Sequence, residues 1–211
     1  MRRAAVTLFG AVIAGVALWF FPLFHVVRNE SGETTIDQSE ANAAESANVF
    51  WNAKLIPALK QAPEAAAVLV ALRENDRAAR ARLGRKVGVG RTSVFVVRGN
   101  GKIVAVEKKG VGVAIADESQ APDVILQTGL VFGNVVRDST GLLDTSAYSD
   151  SRLLNEISSE LNKITETRVV QALKDTARVG RHIEFAGCVE VPDDASDIGP
   201  LAIIPLDVRV E

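Results

Sequence analysis

Cysteine is almost missing from this chain. Cys188 is the single one in 211 residues, so no internal disulfide can form, and a lone cysteine in an apolar run reads as a small buried hydrophobe on a strand. Histidine is nearly as scarce. His25 and His182 lie far apart, and no Cys/His pairing has the spacing of a zinc site. Aromatic residues make up 5% of the chain, too few to line a barrel with stacking platforms. No Gly-x4-Gly-Lys-Ser/Thr run exists, and Gly88-Val89-Gly90 has too few glycines for a phosphate loop. The formal charge is −2 and the sequence pI about 5.8, which excludes the basic footprint of a nucleic-acid binder. No catalytic motif stands out. We expect a protein that is not an enzyme, with no cofactor, no metal and no nucleic-acid partner.

Charge is also lacking between Arg3 and His25, where Thr7 carries the only hydroxyl. As a helix, Ala4 to Phe24 would span about 31 Å, close to the thickness of a bilayer's hydrocarbon core. A cleaved signal peptide and a retained anchor are the two readings. The apolar run is long for a signal peptide and ends in Trp19-Phe20-Phe21, while the first small-x-small pattern, Ala41-Asn42-Ala43, lies far downstream. A retained single-pass anchor over residues 1–28 is favoured. Arg2 and Arg3 put the N-terminus inside the bacterial cytoplasmic membrane and the remainder in the periplasm.

Residues 29–45 are mostly small and polar and read as a tether. A helical module is expected over 46–84. It comprises a segment from Ser46 that Pro57 kinks or ends, a helix starting at Pro63, and a short helix capped by Asp76 with Gly84 at its C-terminal cap. Beyond it, at 85–211, glycine-punctuated β-branched runs predict strands. Ser93–Arg98 and Lys102–Glu107 form a hairpin around Gly99-Asn100-Gly101, followed by strands at 112–116, 123–127 and 130–137. One helix is expected at 150–164, with Leu153, Leu154, Ile157, Leu161 and Ile164 on one face, and two last strands at 182–191 and 201–210. The fold class is α+β: an N-terminal membrane helix, a short helical module, then a small antiparallel β-barrel of the oligonucleotide/oligosaccharide-binding (OB) type with one inserted helix. An open antiparallel sheet packed on helices is the alternative.

The run Phe50 to Leu59, the strand Asp123 to Gly129, the block Phe132-Gly133-Asn134-Val135-Val136-Arg137-Asp138 and the ending Ile203-Ile204-Pro205-Leu206 form an ordered set. They resemble the landmarks of a domain-of-unknown-function family of predicted periplasmic lipoproteins, often encoded beside ribose- or xylose-type sugar ABC transporters. The resemblance implies an extracytoplasmic accessory protein whose partners are the membrane and ABC transporter components. Two departures stand out. The family's pattern has a lipobox cysteine where this chain has Phe21-Pro22-Leu23-Phe24, and an aromatic-Thr-Asn-Gln run where it has Tyr148-Ser149-Asp150-Ser151.

Candidate binding residues follow from that block and its neighbours: Gly133, Arg137, Asp138, Tyr148 and Asp150. Arg137-Asp138 is expected to close a strand, where the guanidinium fork can meet a sugar hydroxyl pattern or a partner carboxylate. Strand neighbours that point to opposite faces would instead make each a separate surface residue. His182, Glu184 and Cys188 share a strand face, but positions six apart are about 20 Å distant, too far for a nucleophile and its base. Asp193, Asp194 and Asp197 lack the ordered oxygens of a calcium loop. The basic run Arg73, Arg77, Arg80, Arg82, Arg85, Lys86, Arg91 reads as a solvated helical face or, alternatively, as a surface toward anionic headgroups.

Overall fold

Among the described residues, six strands and five helices are arranged so that one apolar core lies inside a ring of strands and a second lies between that ring and the helices. In this computed structural model the described residues are 42–87, 91–115, 119–148, 150–195 and 198–211. The expected anchor, the tether as far as residue 41, the Gly88-Gly90 stretch and Asp197 lie outside them. Among the described residues no helix is long and apolar enough to cross a membrane.

Helix α1 (residues 42–59) is already helical at residue 42, ahead of the start expected at Ser46. Ala43, Ala47, Phe50 and Trp51 recur on one face and are buried in the outer core, so packing stabilises a turn whose composition alone would not. Pro57 is accommodated rather than terminal. A π turn over Trp51–Leu55 precedes it, with the Ile56 N–H bonded to the Trp51 carbonyl, and Leu59 remains helical and buried. Helix α2 (Ala65–Arg73) begins after Pro63, not at it, because the Pro63 carbonyl is already engaged by the Arg98 N–H at 3.0 Å. Helix α3 (Arg77–Leu83) is capped as expected, Asp76 accepting from the Ala78 and Ala79 amides at 3.0 Å each. Its last turn leads into extended backbone at Gly84, φ −105°, and not into a left-handed cap.

The strands are β1 (Arg85–Lys86), β2 (Thr92–Glu107), β3 (Gly110–Ala114), β4 (Val124–Gln127), β5 (His182–Pro192) and β6 (Leu201–Val210). The expected hairpin does not form. Strand β2 runs unbroken through Gly99-Asn100-Gly101, pairing with β5 from Thr92 to Lys102 and with β3 from Lys102 to Glu107. Gly101 sits at the crossover, where a Cβ would lie 2.2 Å from the Ala114 carbonyl oxygen. Glycine there permits a close strand approach, not a turn. The pairing order β2-β3-β4-β6-β5 returns to β2, so the five long strands form a closed circuit. It is not wholly antiparallel, since β4 and β6 run parallel.

Alternation sorts the two cores. Ile183, Phe185, Val189 and Val191 of β5 face inward, while Ala186 and Cys188 face the helices. Residues 130–137 are not a strand: Val135–Asp138 form a helical turn, α4. Val131 and Val136 are both buried, a spacing that one reversal of the chain satisfies and an extended strand does not. Helix α5 (residues 151–176) is longer than expected, continuing past Ile164 through a π segment, Thr165–Val170, to Thr176. Ile157, Leu161 and Ile164 are buried as the periodicity predicts. All described residues belong to one compact unit, Gln38–Glu211, with α1 and α2 contributing to the two cores of the strand circuit.

Candidate functional site

The segment after β4 is fixed at two points. Thr128 bonds the carbonyls of Lys108 and Lys109, and the Val131 N–H donates to Glu166 Oε1 at 2.7 Å. With Val131 turned into the outer core, its neighbours in this extended stretch turn outward. Leu130 is 70% exposed and Phe132 75%. Two large apolar side chains therefore project from a segment whose backbone is held.

Gly133 follows with φ +77°, a left-handed conformation that reverses the chain into α4. Its carbonyl accepts from Asn162 Nδ2 at 3.0 Å. Asn162 is 8% exposed, and its Oδ1 has no hydrogen-bond partner among the described residues. Between this loop and α5 opens a cleft of about 380 Å³, with Phe132 and Asn134 on one wall and Asn155, Ser159, Lys163 and Glu166 on the other. Its chemistry is that of amides, hydroxyls, one carboxylate and one ammonium beside an exposed ring. That combination recognises polar surfaces through several short-range contacts rather than one strong charge.

Below the cleft, Arg137 and Asp138 form a bidentate pair, Nε to Oδ1 at 2.7 Å and Nη2 to Oδ2 at 2.9 Å. Nη1 donates to Ser158 Oγ at 3.1 Å and to the Leu154 carbonyl at 3.4 Å. Arg137 is only 9% exposed. Because the pair sits on a helical turn and not on a strand, the two side chains meet instead of diverging. The guanidinium fork is occupied internally, and the pair braces α4 against α5.

Gly133, Arg137 and Asp138 are thus neighbours in one construction. Tyr148 and Asp150 serve elsewhere: Tyr148 packs against the outer core, and Asp150 caps α5 by accepting from the Arg152 N–H at 2.8 Å. No motif in the sequence singles out Asn162 or Glu166. The available signal was a polar stripe, Ser158, Asn162 and Thr165, running beside the apolar face of α5; all three are buried.

Along β5, His182 and Glu184 are exposed while Cys188 is buried. Desolvation pushes the thiol up to about 12, with Glu190 adding to the shift and a Ser139 hydrogen bond opposing it. Such a thiol carries almost no thiolate at neutral pH and is chemically inert. Asp193 bonds Lys86 and Ser93, and these two hydrogen bonds hold its carboxyl below the usual range.

A comparison with curated proteins returns no significant match. Among solved structures the chain is similar to a crystal structure described as an OB-fold protein from Thermotoga maritima, with 25% identity and a TM-score of 0.71, covering 80% of this chain and 98% of the other. That likeness agrees with the strand circuit interrupted by one long helix. The family model described as "Predicted periplasmic lipoprotein (DUF2291)" matches residues 14–209, nearly the whole chain. The chain belongs to this family of predicted periplasmic lipoproteins.

Proposed function

We propose that the protein is a non-enzymatic, membrane-anchored extracytoplasmic accessory protein that accompanies a sugar-type ABC importer and meets it through the Leu130–Phe132 projection and the adjoining cleft. Membership of a periplasmic lipoprotein family supports the location, and the charge-free segment Ala4 to Phe24 supports a helix anchor with its N-terminus inside. The observation that carries the contact surface is the paired exposure of Leu130 and Phe132 on a backbone held by Val131 and Thr128. A rigidly presented apolar pair bordered by polar groups has the anatomy of an interface core with its rim. The test places a photo-crosslinking amino acid at Phe132 in the full chain within its native membrane. The expected adduct contains a transporter permease or its solute-binding component, and it is lost in Leu130→Ser. Adducts with no transporter component overturn the reading.

A second reading, direct binding of a sugar in the cleft, is favoured by the unpartnered Asn162 Oδ1 beside Asn134, Asn155 and Glu166. Calorimetry against a panel of pentoses and hexoses separates the two. A saturable heat that Asn162→Ala abolishes supports the sugar.

A further inference from the structure

Seven basic residues crowd the stretch from Arg73 to Arg91, and the fold does not treat them alike. Arg73 pairs with Asp123 at 3.7 Å, and the Arg85 guanidinium lies against Gly141 on the side of the Arg137 brace. Arg77 and Arg80 of α3, Lys86 of β1 and Arg91 ahead of β2 instead converge on one cavity of about 480 Å³ at the end of the strand circuit. Phe95 and Val191, both buried, line it as well. Two carboxylates, Asp193 and Asp194, also border the cavity, so four cations face two anions.

The arrangement around Arg80 is built. Its Nη1 is held by Asn75 Oδ1 at 2.9 Å and by the Asp193 carbonyl at 3.2 Å. Asn75 stands in the left-handed region at φ +51°, a conformation that costs energy for a residue with a side chain. The Arg80 Nη2 is shielded from solvent and has no acceptor among the described residues. An unpaired buried guanidinium N–H is costly, and an anionic oxygen is the acceptor that satisfies it best. Asp193 is already bonded to Lys86 and Ser93, which fixes it in place and limits its competition for Arg80.

We propose that this cavity is a binding site for a phosphate ester, its anionic group held by Arg80, Arg77 and Arg91 and its organic part lying toward Phe95 and Val191. The site is separate from the Phe132 cleft and shares none of its lining residues. A free phosphate ester and a phospholipid headgroup offer the same chemistry.

The experiment uses the full chain in neutral detergent micelles. Isothermal titration compares inorganic phosphate, glycerol 3-phosphate, monomeric dihexanoylphosphatidylglycerol and uncharged dihexanoylglycerol. Saturable binding of glycerol 3-phosphate, weakened at least about tenfold by Arg80→Lys and by Arg91→Ala, supports the site and identifies a free ester. Binding of the phosphatidylglycerol alone, weakened by the same substitutions, supports it and identifies a headgroup. Arg91 is exposed and makes no ion pair among the described residues, so its variant keeps the fold, and an unchanged thermal melt checks this. No binding by any phosphate compound, equal binding of the uncharged glyceride, or binding indifferent to both substitutions overturns the proposal.

Discussion

Replacing Arg137 by alanine tests whether helix α4 is held against α5 by one buried ion pair. The guanidinium makes two bonds to Asp138, one to Ser158 and one to the Leu154 carbonyl, with side-chain exposures of 10% for Arg137 and 17% for Asp138. Truncation leaves the Asp138 carboxylate largely desolvated and unpaired, a loss of about 3–4 kcal/mol. For a folded body of this size, about 2–4 °C accompanies each kcal/mol, so the melting temperature should fall by roughly 10 °C. Urea unfolding followed by circular dichroism gives the free energy directly. Arg137→Met with Asp138→Leu removes both charges and should recover most of the loss, with a coupling energy above about 2 kcal/mol in the double-mutant cycle. A single-variant cost below about 1 kcal/mol, the value of an exposed pair, would refute the brace.

Asp76→Ala removes the cap of α3 and should lower stability by about 1 kcal/mol in the same urea assay. Gly101→Ala forces a Cβ against the Ala114 carbonyl and should cost about 3 kcal/mol or prevent folding, whereas Gly129→Ala, where a Cβ meets nothing within 4 Å, should cost under about 1 kcal/mol. Cys188 should resist iodoacetamide in the native protein and react completely once urea unfolds it; rapid native labelling would contradict its burial. Asp193 has a depressed carboxyl, so its contribution to stability is present above the ordinary carboxylate range and fades as pH falls through the depressed value. Asp193→Asn should therefore flatten the acid side of the melting temperature against pH. An unchanged acid limb would show that Lys86 and Ser93 do not stabilise its ionised form.

Features written in adjacent residues were legible. The Asp76 cap, the Ile157-Leu161-Ile164 face and strands β5 and β6 each depend on patterns within a few positions. Gly99-Asn100-Gly101 misled because its local grammar suits a turn or a sharply coiled strand equally well. The partner that decides between them, β5, lies 80 to 100 positions away in sequence. Val135 and Val136 suggested a strand through β-branching, yet inward packing of Val136 and the Arg137 brace select a helical turn. Near the candidate site, Gly133, Arg137 and Asp138 stand out in the sequence as part of an ordered block of residues. Asn162 and Glu166 were hidden because the loop atoms they bind, the Gly133 carbonyl and the Val131 amide, belong to a segment about thirty positions earlier.

The continuity of β2 bears on how a periplasmic chain matures. The Thr92–Lys102 half of β2 lacks its long antiparallel partner until β5 has arrived, and β4 finds its parallel neighbour only in β6, the last strand. Nucleation from local contacts cannot close such a circuit, so loop-closure entropy should make folding slow. A chain threaded across a membrane from its N-terminus would deliver the partner strands last. Until then β2 and β4 present open edges that can pair with other chains. The interval before closure is when its unpaired backbone is most open to proteolysis.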